Sequence, residues 1–171
     1  MRHLMASKIV LEPLTADDQD DFLAAVAASR ALHRPWVNPA ASPELFQAFA
    51  ARMQGPVNLG FVVRRPETRQ LVGFIEVTNI VRGVFQSAYL GYYAFAGHER
   101  QRLMTQGLRQ LVKHAFSELR LHRLEANIQP ENLASIALVR AAGFVHEGYS
   151  QRYLKIRGRW RDHERWAIVV R

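Results

Sequence analysis

The sequence predicts one mixed α/β domain, and three observations carry that expectation. Between residues 59 and 95 three β-rich runs follow one another on short links, the pattern of an antiparallel meander. Residues 103–119 then change to helical spacing, with Met104, Leu108, Leu111, Val112, Ala115, Phe116 and Leu119 on one face. A strand, an Asn-led helix and a hairpin follow, so helices and strands alternate through the second half of the chain.

Taken in order, residues 8–14 (KIVLEPL) read as a short strand ended by Pro13. Thr15 offers an N-cap, and Asp17 and Asp18 sit in the first turn, where the helix dipole favours negative charge. Phe22, Leu23, Val26 and Ala27 form an apolar stripe that runs to about residue 33. His33-Arg34-Pro35-Trp36 breaks it, because the residue before proline avoids the α region. Ser42-Pro43 starts a second helix with the stripe Leu45, Phe46, Phe49 and Met53, and Gly55-Pro56 ends it. The meander strands fall at 59–63, 71–77 and 86–95, with turns at 66–69 and 81–84. After the helix at 103–119 come a strand at 122–129, a helix at 132–142 stopped by Gly143, and hairpin strands at 145–156 and 160–170 around Arg157-Gly158-Arg159. There is no repeat, linker or low-complexity tract, so residues 1–171 are expected to form a single domain.

The bulk properties exclude several classes. A chain of 171 residues buries roughly 70% of its unfolded surface. Its 49% hydrophobic and 22% charged content argues against disorder. The absence of cysteine removes disulfide scaffolds, thiolate metal sites and thiol nucleophiles. Residues 1–10 lack the apolar core of a signal peptide, and no run approaches the ~20 apolar residues of a membrane span, so a cytoplasmic protein is expected. The seven histidines show no H-E-x-x-H spacing, and no metal is expected. A net charge of +8 is compatible with an anionic cofactor, a nucleic-acid-rich partner or plain solubility. Its crowding at Arg152, Lys155, Arg157, Arg159, Arg161 and Arg165 favours an anionic partner.

Residues 89–144 organise the rest. They read as strand, turn, helix, strand, Asn-led helix and glycine stop, an arrangement able to hold an extended ligand between two strand ends and a helix N-terminus. In this stretch Gly91-Tyr92-Tyr93, the turn at residues 100–105, His122-Arg123-Leu124-Glu125-Ala126-Asn127, Pro130-Glu131-Asn132-x-x-Ser135 and Ala142-Gly143-Phe144 resemble the GNAT N-acetyltransferases. Asn79-Ile80-Val81-Arg82-Gly83-Val84-Phe85 leading into Tyr89-Leu90-Gly91-Tyr92, and the tail Gly158-Arg159-Trp160-Arg161-Asp162-His163, are similar to the RimJ/RimL-like branch that acetylates ribosomal-protein N-terminal alanine. The resemblance covers nearly the whole chain and is densest over residues 73–166.

That resemblance implies a GNAT fold: a mixed sheet of about seven strands flanked by about four helices, with a V-shaped split between two central parallel strands. It implies an acetyl-CoA-dependent transferase acting on a protein N-terminal amine, with a ribosomal protein as acceptor and ribosome contact through the basic surface. Monomer and homodimer both stay open. The cofactor is expected along Tyr92, Tyr93, Ala94 and Phe95, where an N–H near Tyr93 or Ala94 meets the thioester oxygen, a donor worth ~3–4 kcal/mol of barrier. Its phosphates are expected at Arg100, Gln101, Arg102, Leu103, Met104 and Thr105, and its amides at Asn127, Asn132 and Ser135.

Three positions depart from the family. Arg100 and Arg102 stand where the usual turn has glycines, so their side chains either crowd the phosphate, point away or bond it directly. Val139 occupies the position of the usual tyrosine acid, which shifts the role of thiolate donor to Ser135; a small residue packing on the cofactor is the plainer reading of that serine. Asn132 is readable as a cofactor ligand, an N-cap, or both.

For the base, Glu76 and Glu125 lie in apolar strand runs and His98 in the turn, and each is also readable as a solvated surface group. An α-amine of pKa ~7.7–8.0 costs only about 1 kcal/mol to deprotonate at pH 7, against about 4–5 kcal/mol for lysine, so a strong base is not required. By the resemblance and by position, Trp36, Arg82, Phe85 and Tyr89 are expected on the acceptor side, the aromatics being also readable as core, with Asp162 either drawing in the ammonium or pairing with Arg159 and Arg161. A small-amine acetyltransferase and a ribosome- or RNA-associated binding protein are the rival readings.

Overall fold

Alternating apolar residues build one seven-stranded sheet of order β1-β2-β3-β4-β5-β7-β6. The structure is a computed structural model that describes residues 7–170; Arg2 and His3 of the amino-terminal stretch, and both ends of the expected 1–171 domain, lie outside the described residues. The strands are β1 (Val10–Pro13), β2 (Leu59–Arg64), β3 (Leu71–Val81), β4 (Ser87–Ala94), β5 (Arg123–Ile128), β6 (Val145–Ile156) and β7 (Arg159–Val169). β1 through β4 are antiparallel neighbours, as the meander pattern predicts. β4 and β5 are parallel, joined by a helical crossover, and β7 is inserted between β5 and β6.

The helices are α1 (Gln19–Ala28), the single turn α2 (Arg30–His33), α3 (Pro43–Arg52), α4 (Leu103–Ser117) and α5 (Leu133–Ala142). The helix expected to run unbroken to residue 33 is divided. Thr15 leads into a 3-10 turn, Ala16–Asp18, whose Asp18 carboxylate accepts the Thr15 N–H at 2.8 Å. Ser29 then leaves helical geometry: its buried hydroxyl donates to the Ala25 carbonyl (2.6 Å) and accepts the Ala96 N–H (2.9 Å), tying the helix end to the exit of β4.

Each face of the sheet has its own core. On one, α1 and α3 cover the sheet with an aromatic cluster. The Phe22 ring meets Phe74 and Phe95 edge-on at 5.9 and 5.5 Å and Phe46 at 5.1 Å. Two residues of the expected stripes turn outward: Leu45 is 60% exposed and Ala27 is exposed, whereas Phe46, Ala50 and Met53 are buried. The other face is covered by α4 and α5, where Leu103, Met104, Leu108, Leu111, Val112 and Ala115 are buried much as the helical spacing predicts. Gly73 fixes how α4 begins. A Cβ there would stand 2.2 Å from Met104 Sδ and 2.8 Å from the Tyr93 carbonyl, so only glycine lets the first turn of α4 settle against the sheet.

Candidate active site

The parallel pair opens, as the resemblance implies. β4 and β5 are paired from Ser87↔Arg123 to Leu90↔Ala126, and beyond this β4 runs on to Ala94 and β5 to Ile128 with no mutual register. The Phe95 N–H donates to the Val72 carbonyl at 2.8 Å. Antiparallel alternation therefore turns the odd-numbered backbone groups of β4 toward β3, and those of Tyr92 and Ala94 toward the split. Of the two expected oxyanion donors, Tyr93 is consumed by the ladder and Ala94 is left. The Ala94 carbonyl is already taken by the buried ring of His33, whose Nε2 lies 2.8 Å away.

At the start of α4, Arg100 (φ 59°) and Arg102 (φ 57°) both hold the left-handed backbone that glycine ordinarily supplies. The arginines reproduce the glycine-type turn at a strain of ~1–2 kcal/mol each, and their side chains are exposed. The first intrahelical bond runs from the Gln106 N–H to the Arg102 carbonyl (3.2 Å), and no side chain caps the end. The N–H groups of Leu103, Met104 and Thr105 are thus free for an anion. The Leu103 and Met104 side chains are core, at 2% and 8% exposure, so these residues have only backbone to offer. The side chains of Phe95, at 1%, and of Tyr93, whose ring lies against Phe74 and His33, are core as well, and their backbone groups face β3, so neither residue meets a ligand in the split. The Gln101 side chain is held by Arg65. A split with free backbone groups and a bare helix N-terminus fits an extended thioester carrying a pyrophosphate.

Beside the split lies a cavity of about 540 Å³. Glu76 of β3, Gly91 of β4, Asn127 of β5 and His163 of β7 share one face of the sheet there, by the register Glu76↔Gly91, Asn127↔Arg165 and the period-2 alternation of β7. Gly91 makes room for Glu76: a Cβ at Gly91 would lie 2.7 Å from Glu76 Oε1. Burial raises the Glu76 carboxyl above its ordinary range, weakly opposed by Arg52. Asn127 Oδ1 is buried without a partner among the described residues. Trp36 and Val37, from the link between α2 and α3, close the cavity from above, and Tyr89 joins the wall.

On the α5 side, the Tyr92 phenol lies 2.6 Å from Ser135 Oγ and 3.1 Å from the Ser135 carbonyl; its single proton can go to the hydroxyl, which leaves the serine O–H free. Burial holds that phenol well above its ordinary pKa, so it stays protonated. Asn132 Oδ1 accepts the Ser135 N–H (3.2 Å), which makes Asn132 the N-cap of α5 and leaves only its amide N–H groups for a ligand. Tyr92, Asn132, Ser135, Trp36 and Val37 also border a second, 160 Å³ cavity that continues between α2, β4 and α5. Val139 is fully buried core, so its position offers no acid.

Several expected residues stand elsewhere. Glu125 is engaged by Arg123 (2.7 Å) and borders a separate hollow with Phe85, which is 67% exposed. Arg82 donates to the Leu119 carbonyl and to Gln86, away from the cavity. Asp162 pairs with neither Arg159 nor Arg161: it accepts from the Tyr149 hydroxyl (2.6 Å) and the Arg152 N–H (2.8 Å), inside the hairpin. It borders an adjoining hollow with Trp36 and Trp160. His98 lies behind the turn, facing a shallow hollow with Leu71. Conversely, His163 lines the main cavity, although the sequence names it only within the resembling tail and gives it no role of its own. The available signal was its parity with Arg165 and Ala167 on a strand whose other face carries Trp166. Among the described residues no three metal-ligating side chains come together, and no helix is long and apolar enough to cross a membrane.

Residues 8–145 match the acetyltransferase (GNAT) domain family. The chain is 40% identical over 100 residues to the probable N-acetyltransferase YjcK of Bacillus subtilis (strain 168), covering 58% of this chain and 55% of that protein. It is 36% identical over 105 residues to the [ribosomal protein uS5]-alanine N-acetyltransferase of Escherichia coli (strain K12), covering 61% and 54%. The matched stretch thus spans little more than half the length of these relatives. Among solved structures, Mycobacterium smegmatis RimJ in complex with CoA-disulfide superposes with a TM-score of 0.87 at 26% identity, over 95% of this chain and 82% of that one. The seven-stranded mixed sheet with its parallel β4–β5 pair, the arginine-held turn before α4 and the match over residues 8–145 agree: the chain belongs to the acetyltransferase (GNAT) family.

Proposed function

We propose that this protein is an acetyl-CoA-dependent N-acetyltransferase whose acceptor is the α-amine of a protein N-terminus, most specifically an N-terminal alanine of a ribosomal protein. The observation that carries the reading is the parting of β4 from β5 directly in front of the free N–H groups of α4. Acetyl-CoA supplies the activated acetyl group. The α4 N-terminus would hold its pyrophosphate, and the backbone of Tyr92 and the Ala94 N–H its pantetheine arm and thioester oxygen. Asn132 would meet an amide of that arm. Ser135, backed by the Tyr92 phenol, faces the leaving sulfur as a hydrogen-bond donor.

Glu76 gives the acceptor side its character. A single desolvated carboxylate without a hydrogen-bond partner among the described residues suits one ammonium, and it attracts the incoming N-terminus while Trp36 excludes water. A polyamine carries several charges, and a row holding one free carboxylate matches it less well. This separates the proposal from the spermidine N(1)-acetyltransferase of Vibrio cholerae, 24% identical over 74% of this chain. Lys155, Arg157 and Arg159, exposed at the tip of the β6–β7 hairpin, provide a surface for ribosomal RNA close to that acceptor opening.

The test is an acetylation assay against short peptides beginning Ala, Ser or Met, alongside spermidine, with isothermal titration of acetyl-CoA. Micromolar cofactor binding and a preference for the alanine peptide are expected. Absence of binding at high micromolar acetyl-CoA, or preference for spermidine, overturns the assignment.

A further inference from the structure

His163 is nearly inaccessible, at 3% exposure, yet its ring forms part of the cavity wall. Its Nδ1 lies 2.9 Å from the Arg161 carbonyl. A carbonyl can only accept, so Nδ1 carries the proton and the neutral ring presents Nε2 as a lone pair. Nε2 has no hydrogen-bond partner among the described residues. The ring is steadied from the side by Tyr153, edge-on at 6.3 Å.

The position of His163 is as specific as its tautomer. The β5–β7 register ends at Ile128↔Glu164, so His163 stands one residue beyond, beside the parted end of β5. By strand parity it shares the acceptor face with Glu76 and Asn127. Glu76 is on β3, outside β4 and on the far side of the split, whereas His163 flanks the opening from β7.

We propose that His163 is the proton acceptor for the amine during acetyl transfer, a role that rests on the N-acetyltransferase reading above. As the amine nitrogen bonds to the acetyl carbon, it becomes cationic and strongly acidic. Its proton passes to His163 Nε2, the C–S bond breaks, and the sulfur takes a proton from the Ser135–Tyr92 pair, which regains one from solvent. The imidazolium then returns its proton to solvent. Amide and thiol are formed, and the enzyme is unchanged.

A neutral imidazole suits this task better than a strong base, because it must be unprotonated before the reaction and needs to accept only from an already acidified nitrogen. Burial lowers the His163 pKa from its ordinary value and favours the neutral ring, against the opposing pull of the Arg161 carbonyl, Asp162 and Glu131. The charged and titratable groups around it are Tyr153 on β6, Arg161, Asp162 and Arg165 on β7, Glu131 in the loop after β5, and Glu76 and Tyr89 across the cavity.

The experiment is the pH dependence of kcat/KM for an alanine-initiated peptide, in wild type, His163→Gln and Glu76→Gln. In wild type, log kcat/KM should rise with slope two below the His163 pKa and slope one between it and the amine pKa of ~7.7–8.0. His163→Gln should lose about 10²-fold in rate at pH 7 and show slope one throughout. Glu76→Gln should keep the slope-two region. Thermal unfolding and acetyl-CoA titration report whether His163→Gln is folded. As a measurement independent of any variant, nitrogen NMR of histidine-labelled wild type should show the Nδ1–H tautomer and a pKa equal to the kinetic one. An unchanged profile in His163→Gln, loss of the limb in Glu76→Gln instead, or an NMR pKa differing by more than about one unit overturns the role. A wild type that binds acetyl-CoA but acetylates no peptide defeats the acceptor reading itself, a result distinct from any of these.

Discussion

Replacing the Tyr92 phenol by a phenyl ring separates two roles for Ser135 in the reaction, donor and packing residue. The phenol makes two contacts with one residue, at 2.6 Å to Ser135 Oγ and 3.1 Å to its carbonyl. Each is worth roughly 0.5–1.5 kcal/mol net, so Tyr92→Phe should cost about 1–3 kcal/mol of stability. In a domain of this size that lowers Tm by roughly 2–12 °C. The kinetic effect should be larger. A positioned donor to a leaving group is worth ~10²–10⁴ in rate. If the phenol acts through the serine, Ser135→Ala should lower kcat about 10²-fold, a barrier increase of about 2.7 kcal/mol. Tyr92→Phe should lower it by about 10- to 10²-fold, and the double variant should fall no further than Ser135→Ala within about threefold. The assay is thiol release at saturating acetyl-CoA with an alanine-initiated peptide, and calorimetric titration of CoA serves as the control. Multiplicative losses in the double variant refute the coupling. Unchanged turnover in Ser135→Ala refutes the donor role outright, and a loss confined to CoA affinity reduces both residues to packing.

Two further outcomes follow from the charges and the strained turn. Burial raises the folded-state pKa of Glu76, so the protonated form is the one favoured on folding. Its stabilising contribution is fully present below the unfolded pKa of ~4.3 and is lost as pH rises through the folded value. Glu76→Gln should therefore have a higher Tm than wild type at pH 7, with the gap closing as pH falls toward 4; thermal scans across pH that show a gap constant with pH would contradict this. Replacing Arg100 and Arg102 together by glycine removes ~1–2 kcal/mol of left-handed strain at each position. It also adds ~0.5–1 kcal/mol of unfolded-state entropy per glycine, so the net change in stability should be small. Because the free N–H groups of α4 remain, acetyl-CoA should still bind within about tenfold at 0.15 M salt, where exposed charges are screened beyond ~8 Å. A loss above 10²-fold by calorimetry would mean that the guanidinium groups themselves hold the phosphates.

The elements with strong periodicity were legible in advance. The α4 stripe, the meander and the Gly143 stop of α5 all appear within a few residues of their expected bounds. Where the expectation failed, a contact distant in sequence decided the outcome. Ser29 breaks the first helix because the Ala96 N–H needs an acceptor there. Leu45 is exposed because the aromatic cluster around Phe22 is completed by Phe46 and Phe49 instead. Asp162 pairs with Tyr149 across the hairpin, a partner that no local spacing could have indicated.

The sequence by itself determined that a strand, an anion-facing turn and two helices lie in the order needed for a cofactor cleft, and that glycines were missing from that turn. Those properties are local: alternation, capping and residue type act over a few positions. Only the tertiary structure shows how the missing glycines are made good, with Arg100 and Arg102 themselves in left-handed backbone ahead of a helix whose first turn rests on Gly73. Only the tertiary structure brought Glu76, Asn127 and His163 into one row, from strands separated by up to 87 residues, since strand order and parity place side chains that sequence distance keeps apart. The same holds at the start of α5, where Tyr92 reaches Ser135 from 43 residues away and sets a phenol beside its hydroxyl.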